Sequence, residues 1–318
     1  ETEALELLAE PRGRTAVLAG GTDLVSLMQS DLVAPERVVD IRNIESMRGV
    51  MPAGDGIVIG ALTTLDELLA SPLLQAYQSI VQVADATHSI QMQAMGTLGG
   101  DLCLLPHCWY FRNGYGLLAM QNGESLVEAG DNRYHAIFGN RGPAMFVSAS
   151  RFAPALISWG AKVRVIGPEP DRVETLPLEY FYRSPKSPNQ GVTVLEPGQL
   201  VSHVWLPLAE GRQSASYEVL QIQGLDWPLA AASATLHIDG DVVQSARITL
   251  GHVAPTPWFS PEAALALIGQ EVNEQTAEQA GAAAAAVATP LSHNGYKVQL
   301  AQTAVKRAIL RAVGQLEI

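Results

Sequence analysis

Apolar residues recur at helical spacing in "EALELLAE" (3–10), which predicts a short helix ended by Pro11 and Gly13. The apolar run "TAVLAG" (15–20) predicts a strand, and "TDLVSLMQS" predicts a helix capped by Thr22 or Asp23. A second strand follows in "RVVDIRNI" (37–44), so this part of the chain forms a βαβ-like unit. Next come a strand in "GIVIGAL" (56–62), a capped helix in "TTLDELLAS" (63–71) and another helix in "SIVQVADAT" (79–87). Periodicity then lapses from Ser89 to Gly142, where glycines, polar residues and isolated aromatics dominate. Trp109, Tyr110, Phe111, Tyr115, Tyr134 and Phe138 argue that this long segment is ordered.

Regular patterning returns in "APALISWGAKVRVIG" (153–167), a helix followed by a strand. "RSPKSPNQG" (183–191) reads as a solvated loop. "LVSHVWLPL" (200–208) and "ASYEVLQI" (215–222) alternate like antiparallel strands. "AASATLHID" (231–239) and "DVVQSARITLGHVA" (241–254) meet at Gly240-Asp241, a hairpin signal. Helices are predicted over 261–269, 274–288 and 295–315. The chain thus reads as α+β, with a domain over 1–210 (subdomains about 1–50 and 51–210, long insertion 103–142) and a C-terminal domain over 211–318.

Two stretches interrupt this pattern with paired glycines: Ala19-Gly20-Gly21-Thr22-Asp23-Leu24, and Thr97-Leu98-Gly99-Gly100-Asp101. A glycine without Cβ lets backbone N–H groups come close to an anion, and a following helix adds free amides. A tight βα turn explains the first pair equally well. Two such stretches in one domain are suited to gripping a diphosphate from two sides. Neither matches G-x-G-x-x-G or a P-loop, which disfavours a nicotinamide Rossmann site and a nucleoside triphosphatase.

The chain has 318 residues, of which 47% are hydrophobic, enough for two cored domains. Its 32 acidic and 20 basic residues give a net charge of −12, which argues against nucleic acid and anionic membrane as partners. The first ten residues lack the apolar core of a signal peptide, and no apolar run reaches the ~20 residues that span a bilayer. Cys103 and Cys108 are the only cysteines, so a disulfide framework is excluded and the cytoplasm is the expected compartment. No Ser/His/Asp triad or HExxH pattern is present, and no catalytic residue is assigned. His88, His203, His252 and His293 read as structural or surface residues, and "GLDWP" (224–228) as packing.

"AGGTDLV" followed by "TLGGDL" resembles the FAD-binding medium subunit of the molybdenum hydroxylases, the group of xanthine dehydrogenase, carbon monoxide dehydrogenase and 4-hydroxybenzoyl-CoA reductase. The likeness extends through "APALI", "LDWPLAAAS", "ITLGHVAPTPW" and "NGYKVQLAQTAVKRAIL". It implies a two-subdomain FAD-binding fold of the vanillyl-alcohol-oxidase type, followed by a C-terminal domain of antiparallel strands and a helical bundle. It implies FAD diphosphate binding at Ala19, Gly20, Gly21, Thr22, Asp23 and Leu24. Diphosphate and ribityl contacts would come from Thr97, Gly99, Gly100 and Asp101, with Leu98 near the flavin ring. Expected partners are a large subunit with the molybdenum cofactor and a small subunit with two [2Fe–2S] clusters, in a heterotrimer or its dimer. Electrons would pass from those clusters to FAD and on to an external acceptor. A flavin-free structural subunit and a stand-alone flavin oxidoreductase are the alternatives.

Two departures stand out. Where the family often has Gln-Ile-Arg-Asn this chain has Gln91-Met92-Gln93-Ala94, and where it often has Ser-Asp-Leu this chain has Ser150-Arg151-Phe152. The second change removes an expected acidic ribityl contact. The insertion beginning "GDLCLLPHCWYFRN" resembles that of the 4-hydroxybenzoyl-CoA reductase branch, where four cysteines hold a [4Fe–4S] cluster. Here Cys103 and Cys108 stand where two such ligands would be, remnants by this resemblance, and a cluster normally needs four thiolates. His107 and His135 could complete a cluster or a zinc site. The favoured expectation is an insertion without metal, held by aromatics and hydrogen bonds.

Overall fold

In the computed structural model, residues 1–9, 14–169, 171–222 and 226–316 are described. The predicted helix end at Pro11 and Gly13, and Gly224 and Leu225 of the "GLDWP" motif, lie outside them.

Helix α1 (Thr2–Leu8) precedes β1 (Thr15–Leu18), α2 (Leu24–Gln29) and β2 (Arg37–Asp40). β1 and β2 pair in parallel, Thr15 opposite Arg37, which confirms the βαβ unit. β3 (Val50–Ala53) and β4 (Gly56–Gly60) form a hairpin, and only β4 is legible in the sequence because Pro52 and Gly54 break the pattern of β3. Helices α3 (Leu65–Ala70) and α4 (Gln78–Asp85) follow, the first started by a Thr64/Glu67 capping box. Further on, α5 (Ile90–Met95) and α6 (Leu98–Leu102) order the start of the aperiodic segment. Beyond them lie α7 (Trp109–Arg112), β5 (Met120–Gln121), β6 (Glu124–Ser125) and α8 (Leu126–Ala129). The predicted helix-then-strand appears as α9 (Phe152–Ser158) and β7 (Lys162–Ile166), followed by β8 (Val173–Pro177) and β9 (Leu200–Pro207).

The first large sheet has the order β3-β4-β9-β7-β8, all antiparallel neighbours. β9 therefore returns to the first domain rather than pairing with the strand that follows it. Helix α9 is buried along its whole length, and the indole of Trp159 at its end donates to Ser79 Oγ at 3.0 Å. Each large side chain buried here contributes about 1.5–3 kcal/mol, which makes this helix the central support of the domain.

The second domain is a four-stranded antiparallel sheet, β10 (Arg212–Val219), β11 (Ala230–Asp239), β12 (Val242–Gly251) and β13 (Trp258–Phe259). Helices α10 (Pro261–Leu267), α11 (Glu274–Ala285) and α12 (Tyr296–Ala312) pack on it through a second core rich in alanine, including Ala277, Ala280, Ala301 and Ala304. Small residues let α11 and α12 approach closely: a Cβ on Gly281 would lie 2.6 Å from the Gln302 carbonyl oxygen. The domains meet where α4 packs on β10, with Ser216 Oγ donating to Ser79 O at 3.0 Å. No described helix is long and apolar enough to cross a membrane.

Candidate functional site

The first glycine pair sits between β1 and α2. Gly21 takes φ +73°, a left-handed conformation that glycine adopts without strain, and the chain turns there. Among the described residues, the amides of Gly20, Gly21, Thr22 and Asp23 donate to no partner. Four free donors at a half-buried turn suit an anion. A Cβ on Gly20 would overlap the Met95 carbonyl, so the loop touches the backbone just ahead of the second glycine stretch. The two motifs, far apart in sequence, are neighbours.

The second stretch is built differently from the expected loop. Thr97 caps α6 by accepting from Gly100 N at 3.1 Å, and Gly99 and Gly100 lie in the helix's first turn. Leu98 N donates to Thr63 O and Gly99 N to Ala61 O, at 3.0 and 2.8 Å. These amides are already engaged. Gly99 is needed for packing, since a Cβ there would come within 2.7 Å of the Ala61 Cβ. Leu98 lies within the first core.

Asp101 also points inward. Its carboxyl accepts from Ser150 Oγ, from Arg151 N at 3.2 Å and from Phe152 N at 3.1 Å, tying α6 to the start of α9. Burial pushes its pKa up to about 6 against the opposing pull of these donors. Next to it, Arg151 stands where the resemblance leads one to expect an acid. Its Nε donates to Glu218 Oε1 at 2.9 Å, its Nη2 pairs with Glu218 Oε2, and its Nη1 reaches Thr87 Oγ1 at 3.2 Å. The arginine thus bolts the first domain to β10. Gln93 and Ala94 lie on α5, whose Ile90 is 77% exposed.

The insertion closes over the first glycine loop. Arg112 donates to both carboxylate oxygens of Asp23, at 2.9 and 3.3 Å, and to the carbonyls of Leu105 and Pro106. This leaves Asp23 without a capping bond to α2. Cys103 packs against the first core and Cys108 against a small separate cluster with Leu118 and Phe146. Both are free thiols. Among the described residues no three His, Cys, Asp or Glu side chains gather in a metal-holding group. The four zinc or cluster candidates therefore do not converge, although Cys108 Sγ lies 3.1 Å from His135 Nε2. Sequence reasoning missed Arg112, the Arg151–Glu218 pair and the buried Lys297, because a single basic residue in an aperiodic or amphipathic stretch carries no signal of its own. Of the remaining histidines, His88 and His293 are on the surface, and His203 pairs with Ser46 O at 2.9 Å.

A parallel βαβ unit, an antiparallel five-stranded sheet and a separate sheet-and-helix domain, with a bare-backbone turn on the first, make a two-domain α+β architecture. Residues 1–209 match the FAD binding domain in molybdopterin dehydrogenase, and residues 215–312 match the CO dehydrogenase flavoprotein C-terminal domain. The chain belongs to this family. It is 28% identical to the carbon monoxide dehydrogenase medium chain of Afipia carboxidovorans, over 98% of this chain and 93% of that one. It is 27% identical to the aldehyde oxidoreductase FAD-binding subunit of Escherichia coli, over 94% and 91%. A carbon monoxide dehydrogenase structure from Hydrogenophaga pseudoflava superposes with a TM-score of 0.76 at 25% identity, covering 99% of this chain and 95% of that chain.

Proposed function

We propose that this chain is the FAD-carrying electron-transfer subunit of a molybdenum hydroxylase complex. One observation carries the reading: the Gly20–Asp23 turn has four unbonded amides, and its Gly20 lies against the Met95 backbone in the segment leading into Thr97. Those amides would hold the diphosphate, with Ala19 and Leu24 flanking them. Thr97, Gly99 and Gly100 would supply a close wall on the other side, and Asp101 would act by holding α9 in place. Bound FAD supplies the exchange of electrons singly or in pairs, joining one-electron clusters to a two-electron acceptor. The chain's own task is to bind, orient and shield. Expected partners are a large molybdenum-cofactor subunit and a small subunit with two [2Fe–2S] clusters, and the expected location is the cytoplasm.

One feature favours a flavin-free structural subunit instead: Arg151 occupies the place of an acidic ribityl contact and is committed to Glu218. Purification of the complex separates the readings. About one FAD per chain, with both partner subunits retained, supports the electron carrier. A colourless but fully assembled complex refutes it and leaves the scaffold.

A further inference from the structure

The insertion reaches the first glycine turn through one side chain, and that side chain carries the charge the turn lacks. Neither glycine stretch, 19–24 or 97–101, contains a basic residue, and the first ends in an acid, Asp23, and Leu24. Asp23 supplies one of the four unbonded amides of the turn, so its carboxylate belongs to a residue suited to hold an anion. Left alone, that carboxylate would repel the anion, and its burial limits the screening that water and salt provide.

Arg112 answers this charge from 89 positions away. Its Nη1 donates to Asp23 Oδ1 at 2.9 Å and its Nη2 to Oδ2 at 3.3 Å, the two-pronged arrangement in which a guanidinium best matches a carboxylate. Nε donates to Pro106 O at 3.0 Å and Nη2 also to Leu105 O at 3.3 Å, so the insertion's own backbone holds the guanidinium from behind. The elements that bear the pair have little local need of it. Asp23 makes no capping bond to α2, and α7, which carries Arg112, is a single turn. A buried ion pair adds little to stability by itself, since desolvation of the two charges offsets their attraction. Other bases nearby do not share the task. Arg151 is committed to Glu218, and burial followed by the charge of Arg112 holds His107 down to about 4, which leaves it neutral at pH 7.

On the FAD-binding reading, we propose that Arg112 is a positioning residue for the diphosphate: it cancels the Asp23 carboxylate at the glycine turn and so makes FAD retention depend on closure of the insertion. The dependence runs both ways. A pair that raises affinity for FAD when it forms is stabilised by bound FAD to the same extent. The insertion is then a strap that the flavin fastens.

Titration of FAD into the flavin-free full chain, read by quenching of flavin fluorescence, tests this. Arg112→Gln leaves the carboxylate uncompensated and is expected to weaken FAD at least about tenfold, more at low salt than at high. Asp23→Asn removes the repulsion and keeps the guanidinium, and is expected to tighten FAD severalfold. The double variant, neutral at both positions, is expected to return most of the affinity lost in Arg112→Gln. A purely mechanical latch gives a different pattern, in which both single variants weaken FAD and the double variant does not recover. In the wild-type chain, added FAD is expected to slow proteolysis within residues 103–118. Weaker FAD binding by Asp23→Asn, wild-type affinity in Arg112→Gln, or cleavage indifferent to FAD overturns the proposal and leaves the FAD reading standing. A folded wild-type chain that binds no FAD overturns both. If Arg112→Gln does not fold, the sign of the Asp23→Asn effect decides alone.

Discussion

Arg112 grips Asp23 through two nitrogens, at 2.9 and 3.3 Å, and so ties the middle of the insertion to the first glycine loop. Both side chains are less than one-fifth exposed, which places the pair among those whose loss leaves a poorly solvated partner. Arg112→Ala is therefore expected to loosen the insertion and expose the loop to protease at residues 103–118, while the rest of the chain stays resistant. Limited proteolysis with mass mapping reads this. An unchanged cleavage pattern counts against the latch.

Gly20 and Gly100 make unequal predictions. Gly20→Ala drives a methyl into the Met95 carbonyl and separates the two motifs, so flavin retention is expected to fall to near zero. Gly100→Ala meets only the Thr97 hydroxyl, 2.9 Å away, and is expected to retain most of the flavin. Flavin absorbance per chain decides, and equal losses would sink the assignment of the contact to Gly20.

Burial, then the charge of Arg112, brings His107 down to about 4; burial, then Lys297, brings His135 to about 4, from 6.5 in each case. Protons bind the unfolded chain first, so the stability these groups contribute is complete above pH 6.5 and is lost as the pH falls through about 4. Asp101 acts oppositely. Its folded value of about 6 exceeds 3.8, so its contribution is present below 3.8 and lost as the pH rises through 6. The buried histidines outnumber the aspartate, so acidification from pH 7 to 4 is expected to lower stability. Urea midpoints at pH 7 and 4 measure it, and His135→Asn should visibly flatten the dependence.

Lys297 joins three carbonyls from two parts of the chain. Lys297→Met keeps the volume but leaves Tyr134 O and His252 O without a donor, while His135 O keeps only the bond from Asn294 Nδ2, and is expected to cost roughly 2–3 kcal/mol in urea unfolding. A variant of wild-type stability would show that the ammonium's own burial cost cancels its bonds.

Burial pushes the Cys103 thiol up to about 12 and raises that of Cys108 as well. Neither is expected to react with iodoacetamide at pH 8 in the native protein, whereas both should react in urea. Mass spectrometry counts the adducts; rapid native alkylation of Cys103 would contradict its burial.

Local pattern alone determined the βαβ unit, the Gly240-Asp241 hairpin, the closing helices and the glycine pairs, because each depends on periodicity or on the absence of a Cβ within a few residues. Tertiary structure decided what each glycine is for. Gly20 and Gly99 are both bare backbone in sequence, yet Gly20 meets the Met95 carbonyl beside free amides, while Gly99 packs on Ala61 with its amide already engaged. It also decided that β9 belongs to the first sheet, that Asp101 turns inward, and that Arg151 finds Glu218 sixty-seven positions away. Such partners are chosen by burial, which penalises any charge left unpaired, and burial is a property of the folded chain rather than of a neighbouring residue.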